Sequence, residues 1–322
     1  MGEDIHMVKN KTKVAIIGAG FVGASTAFAM ALQQNASEIV LIDVNKEKAY
    51  GEALDINHGL CFIGQMAVYQ GDYSDIADCD VIVVTAGMNR KPGETRLDLA
   101  RKNVAVAKEI TANIMKYYTH GVILVVANPV DILTYLIQKW SGLPNGRVFG
   151  TGTVLDSARF RFLLAEKFNV DVRNVHGYMV GEHGDTQLPL WSATHIAGMN
   201  INEYGNLHGN SFGDAEKALI HEEVKKAGAT IIKNKGATYY AIALTVNTIV
   251  ETLLKNQNTI RTVSSIIDGT YGISDVAISL PSIINSNGVE KIIEFSITPE
   301  EEKLLKASAE AVKAVLNDVK DL

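Results

Sequence analysis

Four short runs rich in β-branched residues, at 14–17, 39–42, 81–85 and 122–127, are apolar at nearly every position rather than at every second one. A strand reads this way when both of its faces are covered, because each side chain meets a core whichever way it points. Stretches of helical spacing lie between the runs, at 22–34 and, at greater length, 97–118. Parallel neighbours need crossover connections, and helices of this length supply them. The first half is therefore expected to be α/β, a doubly wound parallel sheet.

The pattern changes after Gly150. Residues 153–168 have helical spacing, and strand-like pieces follow at 175–180 and 189–194. A long helical region spans 215–256, and strand candidates at 262–267, 275–280 and 291–295 suggest a mainly antiparallel sheet. Thr298-Pro-Glu-Glu301 combines an N-cap, a proline at the first helical position and a glutamate three residues after the cap. It introduces an amphipathic C-terminal helix carrying Leu305, Val312 and Leu316. The expected organisation is a tag-like, polar segment at 1–12, a nucleotide-binding domain at 13–150 and a second, α+β substrate and catalytic domain at 151–322. With no repeat or Pro-rich linker, the halves should pack closely and place their site in the crevice between them.

Composition removes several classes of function. A formal charge of -6 over 322 residues gives no attraction to a phosphate polymer, so nucleic acid is not an expected partner. No apolar run approaches the roughly 18 residues of a membrane span, and no signal peptide is seen at the start. Cys61 and Cys79 make neither a disulfide framework nor a metal site, which fits a reducing cytoplasm.

Gly18-Ala-Gly20-Phe21-Val22-Gly23 follows the first apolar run directly and opens a helix. In that context the glycines permit a tight turn, let backbone approach a pyrophosphate, and let helix and strand pack closely. The helix N-terminus offers unpaired N–H groups to the anion. Asp43 closes the second run, where a carboxylate accepts both ribose hydroxyls and repels a 2′-phosphate, so NAD is favoured over NADP. The parallel sheet is thus expected to be of the Rossmann type.

The other landmarks are chemical. His183 stands between glycines and acids in Gly-Glu-His-Gly-Asp, Asp156 and Arg159 share one face of a helix, and Asn128-Pro129 ends the fourth run. Arg96 lies in the polar segment Met88 to Arg101, whose Pro92 and Gly93 mark a loop following the third run. A ketone reduced by hydride needs a proton at its oxygen, and a histidine beside an acid is a natural donor.

Together, GAGFVG at 18–23, Asp43, KPGETRLDL at 91–99, NPVD at 128–131, GTVLDSARFR at 152–161 and GEHGD at 181–185 resemble the L-lactate and malate dehydrogenases. The resemblance implies NAD as cofactor, a small 2-keto or 2-hydroxy acid as substrate, no metal, and a homotetramer or dimer. It implies that His183 carries the proton and Asp156 orients it. Arg159 would grip the substrate carboxylate, Arg96 would polarise the carbonyl from the loop, and Asn128 would bond the substrate oxygen and contact the cofactor.

Two features divide the substrate. Arg90 stands where the malate enzymes carry arginine, and it could pair the second carboxylate of oxaloacetate in a dry site. KPGETRLDL and Thr238 instead look like the lactate enzymes. The charge acts on substrate directly, so oxaloacetate and L-malate are the expected pair, with pyruvate and L-lactate as the alternative; a catalytically inactive NAD-binding protein is a further one. Arg161 and His176 match positions that bind fructose 1,6-bisphosphate in allosteric lactate enzymes. On a helix Arg161 lies about 200° round from Arg159, away from the substrate side.

Overall fold

The computed structural model describes residues 11–88, 93, 95–207 and 212–320. Six parallel strands form the first half: β1 (Lys13–Ile17), β2 (Glu38–Ile42), β3 (Ala67–Gln70), β4 (Val81–Val84), β5 (Val122–Val125) and β6 (Val148–Gly150). They lie in the order β3-β2-β1-β4-β5-β6. Helices α1 (Phe21–Gln33), α2 (Lys46–Gly59), α3 (Arg96–Tyr117) and α4 (Val130–Ser141) make the connections.

The uninterrupted apolar runs are explained by how alternate side chains part. Ala15, Ile17, Ile82, Val84, Ile123 and Val125 enter one core with residues of α3 and α4. Val14, Ile16, Val81, Val83, Val122 and Leu124 enter the other, with α1 and α2. Both faces are dry, so neither register of the pleat can be polar.

The second half contains α5 (Val154–Phe168), then β7 (Val175–His176), β8 (Met179–Val180), β9 (Leu188–Pro189), β10 (His195–Ile196) and β11 (Met199–Asn200). Helices α6 (Ile201–Leu207), α7 (Asp214–Lys235) and α8 (Tyr240–Leu254) follow. The meander β12 (Thr259–Asp268), β13 (Ser274–Asn285) and β14 (Gly288–Ile292) precedes α9 (Pro299–Val319). The fold is a Rossmann-type parallel sheet with a second α+β region.

Several details depart from the periodicity. The helical region at 215–256 is two helices, because Gly236 at φ +87° terminates α7 and a short turn precedes α8. The strand-like piece at 175–180 yields two strands of two residues each, and of 189–194 only Pro189 lies in a strand, because Trp191–Ala193 forms a single tight helical turn. β3 and β6 escape notice since one is an edge strand with a single fully buried residue and the other is three residues long. The last strand lies at Gly288–Ile292, ahead of 291–295. The antiparallel meander does not form a separate sheet: Ser264 of β12 pairs with Gly150 of β6, so nine strands run as one.

The first and last described segments are tied into this frame. Thr12 exchanges hydrogen bonds with Ser37, its N–H donating to the Ser37 hydroxyl at 2.8 Å. Leu305, Ala309 and Val312 of α9 pack into the core that α3 and α4 share, so the C-terminal helix binds the two halves together.

Candidate active site

The strand order reverses between β1 and β4, and in open α/β sheets ligands bind outside the carboxyl ends of the strands at such a point. Gly18 has φ +105°, and a Cβ there would lie 2.7 Å from the Ala86 nitrogen and 2.8 Å from the Thr85 hydroxyl. A Cβ on Gly23 would lie 1.8 Å from the Gly18 carbonyl oxygen. These two glycines are demanded by the protein's own packing.

Gly20 is different. Nothing lies within 4 Å of a Cβ placed on it, and it occupies the N-cap of α1 without any side-chain cap. The first N–H groups of α1 therefore face open space over a residue with no side chain, an arrangement that suits an anion. Phe21 is exposed and stacks on Tyr239 with centroids 5.3 Å apart, while Val22 is half-buried against the α1 core. Asp43 accepts the Ala19 N–H at 2.7 Å through one oxygen and the Asn45 N–H at 2.8 Å through the other. Each oxygen keeps a lone pair for a further donor.

Helix α5 carries Asp156, which is 1% exposed. One of its oxygens accepts the ring Nδ1–H of His183 at 2.6 Å, and the other accepts Arg159 Nη1–H at 3.0 Å. Burial alone would raise the Asp156 carboxyl, but the imidazolium and guanidinium outweigh it and hold Asp156 below its ordinary value. Burial likewise would lower His183; the Asp156 charge and hydrogen bond prevail, aided by Asp131, and lift it to about 9. The His183 side chain remains 26% exposed, so the ring keeps an open side.

The loop bearing His183 is pinned at three successive residues. Gly181 exchanges backbone bonds with Ser279 of β13, Glu182 N–H donates to Ser308 of α9, and His183 N–H donates to Asp131 of α4. Asn128 sits where β5 meets α4; its carbonyl accepts Asn103 Nδ2–H at 2.6 Å. Thr238 is half-buried in the turn between α7 and α8, one residue from the Tyr239 that stacks on Phe21. Arg96 is the first residue of α3, behind the capping box of Thr95 and Asp98. Arg90 lies outside the described residues.

His183, Asp156 and Arg159 are thus in direct contact. Arg161 turns away, its Nε–H bonding the Ser157 carbonyl at 3.3 Å, and His176 is exposed on β7. Burial lowers both Arg161 and Arg261, and Arg261 is depressed further by Arg161. Arg261, Asn103 and Asp131 had not stood out as site residues in the chain, because their partners come from distant segments. Asp131 did close the NPVD motif, and a carboxylate just past the carboxyl end of a buried strand is a signal that could have found it.

Residues 12–150 match the family described as lactate/malate dehydrogenase, NAD binding domain, and residues 153–322 its alpha/beta C-terminal domain. The chain belongs to the lactate/malate dehydrogenase family. It is an NAD-dependent oxidoreductase of that family. An L-lactate dehydrogenase of Thermoanaerobacter sp. is 51% identical over 307 residues, covering 95% of this chain and 99% of the relative. The solved L-lactate dehydrogenase of Clostridium thermocellum is 69% identical with a TM-score of 0.86, covering 96% of this chain and 100% of that one. The minor L-lactate dehydrogenase of Enterococcus mundtii, solved with ligands bound, is 44% identical with a TM-score of 0.93, covering 96% and 98%.

These relatives overturn the expectation of oxaloacetate and L-malate as the substrate pair. That expectation rested on the charge of one loop residue, Arg90. A guanidinium selects a second carboxylate only when it is aimed into the closed site, and its direction is not written in its residue type. KPGETRLDL and Thr238 were the features in accord with the relatives.

The cofactor fits the residues present. The uncapped N-terminus of α1 and the bare Gly20 suit a pyrophosphate, and Asp43, with spare lone pairs at the end of β2, suits ribose hydroxyls. Among the described residues no helix is long and apolar enough to cross a membrane.

Proposed function

We propose that the protein is an L-lactate dehydrogenase, interconverting pyruvate and L-lactate with NAD. The observation that carries this is the contact of Asp156 with both His183 and Arg159, in a chain whose full-length relatives bear that name. Bound along the glycine loop by Gly18, Gly20, Phe21, Val22, Gly23 and Asp43, NAD supplies the hydride acceptor or donor.

The remaining chemistry belongs to side chains. His183, its Nδ1–H committed to Asp156, presents Nε2 to the substrate oxygen and gives or takes the proton there. Asp156 fixes the ring's orientation and favours the imidazolium. Arg159 binds the substrate carboxylate; a planar guanidinium offers two parallel N–H bonds where a lysine offers a point charge. Arg96 polarises the carbonyl and stabilises the developing alkoxide, Asn128 bonds the same oxygen, and Thr238 lines the methyl end.

The same reading divides the chain at about Gly150 into a nucleotide-binding unit, 13–150, and a catalytic unit, 151–322. It also has copies associate as a dimer or tetramer, supported by the exposed Phe28, Leu32, Leu54 and Leu244 on α1, α2 and α8. A sugar bisphosphate would bind at Arg161 and His176, supported by the proximity of Arg261, which gives Arg161 a second guanidinium in place of an acid. Work in the cytoplasm accords with both cysteines being free.

The test is turnover with pyruvate and with oxaloacetate, followed at the NADH absorbance band. Pyruvate should be reduced with the higher kcat/KM. A preference for oxaloacetate, or NADH bound but never consumed with either acid, overturns the reading.

A further inference from the structure

Asp131 stands in the first turn of α4 and is 3% exposed. Its two oxygens are used by two donors from different parts of the chain: the backbone N–H of His183 at 2.7 Å and the Ser264 hydroxyl of β12 at 2.6 Å. As an anion this carboxyl accepts from both donors at once, one of them a backbone N–H that can only donate. The position in the first turn of a helix favours the same charge.

We infer that Asp131 is a positioning residue for His183, fixing the loop at that residue's backbone and holding a second negative charge beside its imidazole. The inference rests on the reading of His183 as the proton-carrying group. Asp156 alone defines the ring's plane through Nδ1, but it cannot fix where along the loop the ring begins. Asp131 does that from α4, and Ser264 orients Asp131 from the meander, so the histidine is held between the two halves of the molecule.

The charged groups facing His183 are Asp156 and Arg159 of α5 and Asp131 of α4, and Glu182 of the same loop faces Asp131. Asp156 and Asp131 favour the imidazolium, and Arg159 opposes it. Burial raises Asp131 to about 6 despite its two donors, so it is ionised throughout the interval in which His183, at about 9, goes from charged to neutral.

Asp131→Asn separates charge from clamp. An amide oxygen still accepts the His183 N–H, and its NH2 can donate to Ser264, so the loop keeps its bonds while losing the charge. The imidazole resonance of His183, assigned by its disappearance in His183→Asn, should titrate lower by roughly one pH unit in Asp131→Asn, with NADH binding retained. An unmoved midpoint overturns the inference. In the unmodified protein the carboxyl-carbon resonance of Asp131 should shift across the His183 midpoint, and a flat response there overturns it even if the Asn variant does not fold. Failure of the underlying reading is distinct: it would be seen as turnover surviving in His183→Asn, a result that neither resonance measurement depends on.

Discussion

Asn103 of α3 donates to the Asn128 carbonyl at 2.6 Å while its own side-chain oxygen accepts the Met88 N–H at 2.7 Å. A third bond, to the Met88 carbonyl at 3.2 Å, completes a node between the end of β5, the segment leaving β4 and the helix that Arg96 begins. Asn103 is 2% exposed, whereas Met88 and Asn128 lie at the surface, so the buried amide ties two exposed segments to α3.

Asn103→Ala should therefore release Met88 N–H and the Asn128 carbonyl to water and untie both segments from α3. At about 0.5–1.5 kcal/mol net for each of the two shorter bonds, a loss of roughly 1–3 kcal/mol in unfolding free energy is expected. Denaturant unfolding measures it, and turnover should fall together with a rise in pyruvate KM, because Asn128 and the approach to Arg96 shift. A stability change below half a kcal/mol, about the range of a surface substitution, would contradict the assignment.

The glycine loop offers a contrast between two substitutions. Gly23→Ala puts a methyl group 1.8 Å from the Gly18 carbonyl oxygen, so α1 must move off β1 and about 1–3 kcal/mol of stability should be lost. Gly20→Ala meets nothing within 4 Å, and its φ of -76° is open to alanine. It should fold with unchanged Tm yet bind NADH at least tenfold more weakly in a fluorescence titration. Equal NADH affinity in Gly20→Ala and the parent would show that the pyrophosphate lies elsewhere.

His183→Asn should retain NADH binding while turnover drops by about two to four orders of magnitude, the usual contribution of a positioned acid–base group. Pre-steady-state absorbance separates the two quantities. Asp156→Asn should be slow as well, because the ring loses the partner that both aims it and favours its charge. Turnover in either variant near that of the parent would remove the pair from the mechanism.

The two directions should respond oppositely to pH. Pyruvate reduction needs the imidazolium, which is present below about 9 and lost above it, so kcat/KM for pyruvate should fall as pH rises through that value. Lactate oxidation needs the neutral ring and should rise over the same interval. Initial rates across pH 6 to 10, about three units below and one above the His183 value, test this. Parallel profiles in the two directions would exclude His183 as the shared group.

Arg159→Lys tests the bidentate grip. Lysine keeps the charge but not the two parallel N–H bonds, and its shorter reach weakens the contact with Asp156. Pyruvate KM should rise at least tenfold with NADH affinity unchanged. A normal KM would place the substrate carboxylate on another group.

The parallel sheet was legible because burial on both faces forces a continuous apolar run, and the glycines were legible because no other residue fits at Gly18 and Gly23. His183, Asp156 and Arg159 were recognisable as types and spacings, yet 27 residues separate Asp156 from His183, and only the packing of α5 against the loop after β8 closes that gap to 2.6 Å. The split of the helical region at Gly236 went unseen, since helical spacing continues on both sides of it. Arg90 shows the reverse error, where a residue type was given a direction that only the surrounding structure can assign.

Local rules act between near neighbours, so composition and short-range pattern determined the covered strands, the cofactor turn, the capped terminal helix and the reactive residue types of this chain. Tertiary structure decided which charges share a dry space. It brought Asp131 to the backbone of His183 across 52 positions, Ser264 to Asp131 across 133, and β12 to the edge of β6. Electrostatic effect depends on distance and burial, and neither is defined until the chain has closed on itself.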